Sequence, residues 1–290
     1  MTEIIKPTEP GSTSGPVPAR RQRMEQIKSP RDLWLWPREF GLYMLPVVML
    51  LLVWEAATHV FGIQRFLLPR PGDVLSTLWE KREILLDESW VTFQESLLGF
   101  LLAVAVAVPV AVLLTFSKIA ARTIYPVLVI SQVIPKVAVA PLLVVWMGFG
   151  VAPKILLAFL VAFFPIVVNT ATGLNNLEPK MIHLARSMGA STWQTFVYFR
   201  LPSSLPIFFA GLKVGVTFAV IGALVGEFVG AGSGLGHLTV IAMGSLNTEL
   251  VFASIIVMAA IGVAMYVAIE ILERLLVPWS RSRRLEQMGG

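Results

Sequence analysis

The side chains that could carry chemistry in this chain are a few polar residues within long apolar stretches. An ionisable group in lipid is costly and usually faces water or another polar group. Lys136 follows Gln132 by four residues, so a continuous helix would place both on one face, where the ammonium group could attract an anionic or polar solute. Snorkelling of Lys136 to the interface, or a structural pairing, is an equal alternative, and Lys213 is expected to snorkel inward.

Three further residues are candidates for a solute path. Glu227 precedes a glycine-rich segment at 230–236; it could contact a solute, a lysine or the backbone N–H groups of that segment, and we favour a structural or gating role. Asn169 either joins a helix–helix hydrogen bond or lines the path. Trp146, with Phe149, could stack a planar ligand, although interfacial anchoring more often explains a tryptophan at such a position.

The composition excludes several other chemistries. The 290 residues include no cysteine, which removes thiolate metal sites, disulfides and cysteine nucleophiles. No G-x-x-x-x-G-K-[ST] segment occurs, and segment 230–236 lacks the lysine of a phosphate-binding loop, so it is expected to form a tight external turn. The histidines lie far apart in sequence, at His59, His183 and His237. We therefore predict no catalytic residue, metal site or cofactor in this chain.

The elements that would position these residues are membrane helices. Hydrophobic residues make up 56% of the chain and charged residues 14%, with a mean hydropathy of +0.76, which excludes a soluble enzyme. A run of about 20 apolar residues can cross the hydrocarbon core as a helix. The sequence predicts an all-α integral membrane protein with six spans, at 42–61, 95–116, 124–147, 154–173, 204–229 and 250–272.

The distribution of basic residues predicts the orientation. With the N-terminus inside, 16 of the 23 lysines and arginines fall on the cytoplasmic side. This bias explains the net charge of +5 without a nucleic-acid partner. We predict a cytoplasmic arm with an interfacial segment at 1–41, a transmembrane domain at 42–272, and a basic cytoplasmic tail at 273–290. An amphipathic helix over 73–93 is predicted at the outer interface.

The longest polar loop between spans, at 174–203, has the signals of two short helices that meet at Gly189. Asn175 or Asn176 can cap the first helix, and Gly189 suits its left-handed C-terminal cap. Ser191 and Gln194 have the spacing of a capping box for the second helix, which Pro202 is expected to stop. Such a structure on a chain without a large soluble domain indicates a docking site; the alternative is a surface hairpin without a partner.

This loop resembles the coupling segment of ABC importer membrane subunits, the binding-protein-dependent permeases. Their signature is Glu-Ala-Ala, three residues, Gly, nine residues, Ile, one residue and Leu-Pro. The matching positions are His183, Leu184, Ala185, Gly189, Phe199, Leu201 and Pro202. The spacing matches throughout, while histidine, leucine and phenylalanine replace the acid, the first alanine and the isoleucine. The resemblance implies that the contacts with the ATPase come from His183, Leu184, Ala185, Met188, Gly189, Ala190, Leu201 and Pro202.

The resemblance extends over about residues 42–280 and is to the nitrate, sulfonate and taurine type of permease. The run that contains Lys136 is more similar to permeases for pyrimidine thiamin precursors and riboflavin-like or aromatic compounds. The resemblance implies a type I importer permease fold with six helices, a homodimer, two cytoplasmic ATPase subunits that bind ATP and Mg, and an external substrate-binding protein. It also implies a bacterial inner membrane location, with both termini cytoplasmic, and no enzyme activity in this chain.

Two other classes of protein remain as alternatives. An ion-coupled secondary transporter would have repeated halves with matching broken helices, and no convincing internal repeat is found. A non-transporting membrane scaffold would have little reason to bear the cost of Lys136, Glu227 and Asn169 within its spans.

Overall fold

The computed structural model describes residues 32–230 and 232–279, and all the regular elements in these ranges are helical. The chain divides after Val53, within its first helix, into two units. The helices are α1 (Asp32–Val60), α2 (Pro71–Glu80), α3 (Arg82–Phe116), α4 (Lys118–Val133), α5 (Lys136–Met147), α6 (Val151–Asn175), α7 (Pro179–Ser187), α8 (Thr192–Thr195), a π-helical turn (Phe196–Arg200), α9 (Leu201–Gly230), α10 (Leu235–Gly244) and α11 (Thr248–Leu276).

Four helical segments are long and apolar enough to cross a membrane: α3, α6, the continuous stretch Thr192–Gly230, and α11. They contain the predicted spans at 95–116, 154–173, 204–229 and 250–272. The bent pair of α4 and α5 would make a fifth span if the two helices are counted together. The predicted count of six is not established, because the apolar part of α1 within the described residues, Val48–Val60, is shorter than a span.

The predicted span at 124–147 is broken into α4 and α5, which bend by 94°. Ile134 and Pro135 separate the two helices and have extended backbone angles. Proline lacks the N–H that a continuous helix needs, and it disfavours the helical conformation in the residue before it. Gln132 therefore lies in the last turn of α4 while Lys136 begins α5. The prediction that these two residues share one helix face is wrong.

The predicted amphipathic helix at 73–93 is also wrong in its extent. Helix α2 ends at Glu80, and Lys81 leaves the helical conformation with ψ of 15°. The residues that follow belong to α3, which continues through the apolar span to Phe116. Val74 of α2 is buried in an apolar cluster with residues of α3, α10 and α11. Helix α2 therefore packs against these three helices.

Helices α6 and α9 pack along a row of glycines. Gly211, Gly215, Gly222 and Gly226 of α9 each face α6 at a distance that leaves little or no room for a side chain. Small residues at helix interfaces in membranes allow the backbones to approach closely. Helix α3 joins this pair with a matching row of buried alanines at positions 103, 107 and 111. The three helices α3, α6 and α9 form a close-packed unit.

Candidate functional sites

The loop between α6 and α9 forms two short helices that meet at Gly189, as predicted. Gly189 has a φ of +80°, in the left-handed region that glycine adopts without strain. Its N–H donates to the Arg186 carbonyl, and the N–H of Ala190 donates to the Ala185 carbonyl, both at 3.0 Å. These two bonds make a Schellman motif, so the direction of the chain leaving α7 is fixed by hydrogen bonds.

The start of α8 carries the predicted capping box. The Gln194 N–H donates to Ser191 Oγ at 3.1 Å, and the Ser191 N–H donates to Gln194 Oε1 at 2.8 Å. The predicted asparagine cap on α7 is wrong: Glu178 occupies the cap position ahead of Pro179. Asn175 ends α6 instead, where its amide donates to the Ala171 carbonyl at 2.9 Å.

Pro202 does not stop the helix that precedes it. The chain runs from α8 through the π-helical turn into α9, of which Pro202 is the second residue. A proline removes one backbone donor, and the hydroxyl of Ser203 donates to the Phe199 and Arg200 carbonyls at 2.8 and 3.0 Å. The helix nevertheless continues through a wider π-helical turn ahead of the proline. The prediction of a stop at Pro202 is therefore wrong.

The α7–α8 loop and the π-helical turn after it expose apolar side chains. Ala185 is buried, whereas Leu184 is 52% exposed and Met188 is 76% exposed. Trp193 and Tyr198 are also largely exposed. Exposed apolar side chains can mark an interaction surface where they form a contiguous patch. Of the remaining coupling candidates, His183, Gly189 and Leu201 are exposed, and Ala190 and Pro202 are half-buried.

The five path candidates are not brought together. Lys136 is half-buried and lines a cleft of about 330 Å³ between α4, α5 and α6. Gln132 and Trp146 are exposed and do not line this cleft. Asn169 donates to the Pro165 carbonyl of its own helix at 2.8 Å, so its amide does not make the interhelical hydrogen bond that was one of its two alternatives. Glu227 belongs to a separate buried cluster.

That cluster holds the glycine-rich turn between α9 and α10. Glu227 accepts hydrogen bonds from the Thr92 hydroxyl at 2.7 Å and the Gly236 N–H at 2.6 Å. Thr92 in turn accepts from the Leu235 N–H at 2.9 Å, and Glu88 accepts from the Gly234 N–H. Three successive N–H groups at the start of α10 thus bond to side chains of α3 and α9, where the helix dipole also favours acidic groups. Of the three contacts considered for Glu227, the structure contains the one with this turn.

A buried ion pair lies beside the same turn. Lys154 of α6 pairs with Glu95 of α3, and both side chains are almost fully buried. The Lys154 ammonium also donates to the Ser233 carbonyl at 3.3 Å. The sequence did not predict this pair, because Glu95 and Lys154 lie on different helices. A signal existed: an acid and a base stand at the first residues of two predicted spans that begin on the same side of the membrane.

Lys213 is also paired rather than directed to solvent. Its ammonium lies 3.0 Å from a Glu270 carboxylate oxygen and 2.6 Å from one of Glu273. The ring of Tyr266 is 5.6 Å away, measured to its centroid. The pairing joins α9 to α11, and the prediction that Lys213 snorkels is corrected accordingly.

The comparisons with known proteins decide the family. Residues 97–281 match the profile of the family described as "Binding-protein-dependent transport system inner membrane component". This chain belongs to that family. The permease is 37% identical to the "Riboflavin transport system permease protein RibX" of Chloroflexus aurantiacus, over 88% of this chain and 96% of the relative. It is 36% identical to a "Probable ABC transporter permease protein" of Haemophilus influenzae, over 78% of this chain and 93% of the relative.

Two further comparisons agree. The permease is 35% identical to the "Formylaminopyrimidine transport permease protein ThiX" of Halalkalibacterium halodurans, over 81% of this chain and 94% of the relative. An inward-facing structure of the MetNI methionine ABC transporter aligns with a TM-score of 0.50 and 22% identity, covering 66% of this chain and 98% of that chain. This structural likeness concerns the fold alone.

The family membership confirms several predictions. The chain is a multi-pass inner-membrane permease subunit of an ABC importer. It is not an enzyme, since the ATPase of such a transporter is a separate subunit. The ion-coupled secondary transporter and the non-transporting scaffold are thereby set aside.

Proposed function

We propose that this permease forms the translocation path for a small polar or anionic organic solute, such as a vitamin precursor, an aromatic acid or a sulfonate-like compound. A separate substrate-binding protein would deliver the solute on the outer face. Two relatives support the proposal, since they are described as transport permeases for riboflavin and for formylaminopyrimidine. The proposal also draws on the half-buried cation that begins α5 at the broken span, since broken helices in membranes are tolerated where they line a cavity.

The proposed assembly is a homodimer of six-span subunits with two ATPase subunits at loop 174–203. The domain limits are those given by the sequence, with the arm at 1–41, the transmembrane domain at 42–272 and the tail at 273–290. Both termini are cytoplasmic in this proposal, which the excess of basic residues on that side supports. ATP and Mg would be bound by the ATPase, and this chain would hold no cofactor, metal or catalytic residue.

The α7–α8 loop would act as the lever between ATP hydrolysis and transport. The observation that carries this proposal is the helical continuity from Thr192 to Gly230. A displacement of α7 would pass through the hydrogen-bonded cap at Gly189 into a rod that crosses the membrane. Alternating access requires that α7 make different contacts in the two states. The exposed Leu184 and Met188 provide the apolar surface for such contacts with the ATPase.

A first experiment measures transport directly. The permease is reconstituted in lipid with its ATPase and binding protein, and ATP hydrolysis is followed with vitamin precursors, aromatic acids, sulfonates and nitrate. We expect one compound to stimulate hydrolysis, and only in the presence of the binding protein. A permease that copurifies with no ATPase and whose uptake follows an ion gradient would contradict the proposal.

The lever is tested by Gly189→Val, with Gly189→Asn as the matched control. A Cβ atom at Gly189 would meet no atom of this chain within 4 Å, so the strain expected of valine within this chain comes from the backbone conformation. The left-handed conformation costs an L-residue about 1–2 kcal/mol, while asparagine tolerates it better. We expect valine to abolish the stimulation of ATPase activity by the loaded binding protein and asparagine to keep most of it. Intact uptake and stimulation in the valine variant would refute the lever.

A further inference from the structure

The cleft that contains Lys136 has the size and composition of a small-molecule site. Its volume of about 330 Å³ falls within the range of roughly 300–1,000 Å³ usual for such sites. Among the residues that the structure describes, Lys136 is the one ionisable residue that lines it, and Ser131 adds a hydroxyl. The remaining lining residues are apolar and include three phenylalanines, Phe159, Phe163 and Phe164.

The charge of this cleft is positive and unbalanced. Among the residues that the structure describes, no carboxylate lies within ion-pairing distance of the Lys136 ammonium. The two other lysines within the helical bundle differ, since Lys154 and Lys213 are each paired with glutamate. Lys136 also begins α5, and the N-terminal end of the helix dipole adds a positive field there. An anion would balance this charge.

The aromatic wall favours a flat ligand. The rings of Phe159 and Phe163 have centroids 5.4 Å apart and are tilted by 36°, and both residues are half-buried. Aromatic faces pack well against planar apolar groups. A lipid acyl chain would also fit such a wall, but it would leave the Lys136 ammonium without a partner in an apolar environment, which is costly.

We infer that this cleft binds a planar aromatic solute with one negative charge, its carboxylate or sulfonate on Lys136 and its ring against Phe159 and Phe163. The inference rests on the proposed function, because it names the class of solute that the path receives. Ser131 favours a solute that also carries a hydrogen-bond donor. Its hydroxyl donates to the Leu128 carbonyl at 2.7 Å, so its oxygen remains an acceptor for an N–H or O–H group on the solute.

The test uses the full-length permease in lipid nanodiscs and two photoreactive probes that differ in charge, 4-azidobenzoate and the neutral 4-azidobenzamide. Labelled peptides are mapped by mass spectrometry, and apparent affinities are measured for each variant. We expect the benzoate to label α4, α5 and α6. Lys136→Gln should weaken the apparent affinity for the benzoate probe about tenfold, which corresponds to about 1.4 kcal/mol. It should leave the apparent affinity for the benzamide probe unchanged. Lys136→Arg should keep the preference for benzoate.

A second variant separates the ring contact from the charge contact. Phe163→Leu keeps the cation but removes one aromatic face, so both probes should weaken to a similar degree. Equal labelling by the two probes in every variant, or labelling confined to other helices, would overturn the inference. Loss of benzoate labelling when phosphatidylglycerol replaces phosphatidylcholine would also overturn it, because the cleft would then hold a lipid headgroup.

Transport by the assembled complex distinguishes this inference from the proposed function. A wild-type complex without ATP-dependent uptake would contradict the proposed function, whatever the probes label. A complex that imports its solute as fast with Lys136→Gln as with lysine, at low solute concentration, would overturn the inference and leave the proposed function intact.

Discussion

A methyl group added at Gly222 should separate α9 from α6 locally. A Cβ atom at this position of α9 would lie 2.7 Å from the Ala158 Cα atom and 2.9 Å from the Leu157 carbonyl oxygen. Both are backbone atoms of α6, which cannot turn aside as a side chain can. Since non-bonded carbons sit at about 3.5–4.0 Å, the helices must part locally by about 1 Å.

The expected cost follows from two opposing terms. Overpacking a close interface costs about 1–3 kcal/mol, whereas alanine gains about 1 kcal/mol over glycine in helix propensity. Gly262→Ala in α11 is the matched control, because a Cβ there meets no atom within 4 Å. The control should be neutral or stabilised by about 1 kcal/mol. Gly222→Ala should therefore be less stable than Gly262→Ala by about 1–3 kcal/mol.

The assay is equilibrium unfolding of the purified permease in mixed detergent micelles, followed by circular dichroism. Both variants are measured beside the wild type, so the propensity term cancels in their difference. If Gly222→Ala and Gly262→Ala change the free energy of unfolding equally, the close approach of α6 and α9 does not contribute as described, and the packing argument fails.

Two further predictions concern the buried polar groups near the glycine-rich turn. Glu95→Gln and Lys154→Met should each destabilise the permease by about 3–5 kcal/mol, because each leaves a buried charge without its partner. The double variant should lose less stability than the sum of the two single losses. Additive losses in the unfolding assay would show that the pair is not coupled. Thr92→Val should speed hydrogen exchange in residues 232–244, because it removes a donor to Glu227 and the acceptor of the Leu235 N–H. Thr239→Val is its control, since the Thr239 hydroxyl bonds only within its own helix, and equal exchange in the two variants would contradict the role of Thr92.

The sequence predicted the α7–α8 loop well because its signals are local. The left-handed glycine cap and the Ser191–Gln194 box depend on residues within five positions of each other, and both are present in the structure. Pro202 shows where such local rules end. The rule that proline stops a helix assumes α-helical geometry, and the π-helical turn ahead of Pro202 provides a different geometry that the rule does not consider.

The sites at the helix interfaces depended on tertiary contacts that no local pattern contains. Glu95 and Lys154 lie on different helices, and only the packing of α3 on α6 brings them together. The aromatic wall beside Lys136 is likewise contributed by α6, across the break at Pro135. The charge of Lys136 within a predicted span indicated a path candidate, but Gln132 was expected on the same helix face, because a continuous helix was assumed where the chain bends.

The π-helical turn at Phe196–Arg200 affects the direction in which the α7–α8 loop projects from the axis of α9. One residue in an α-helix corresponds to about 100° of rotation and about 1.5 Å of rise. Removing a single residue from this turn would restore an α-helix but swing α7 and α8 around the axis of α9 by about a quarter of a revolution. The number of residues in this turn thus sets the direction in which the exposed Leu184 and Met188 face. A deletion there would rotate these side chains about the helix axis by a large angle but shorten the helix only slightly.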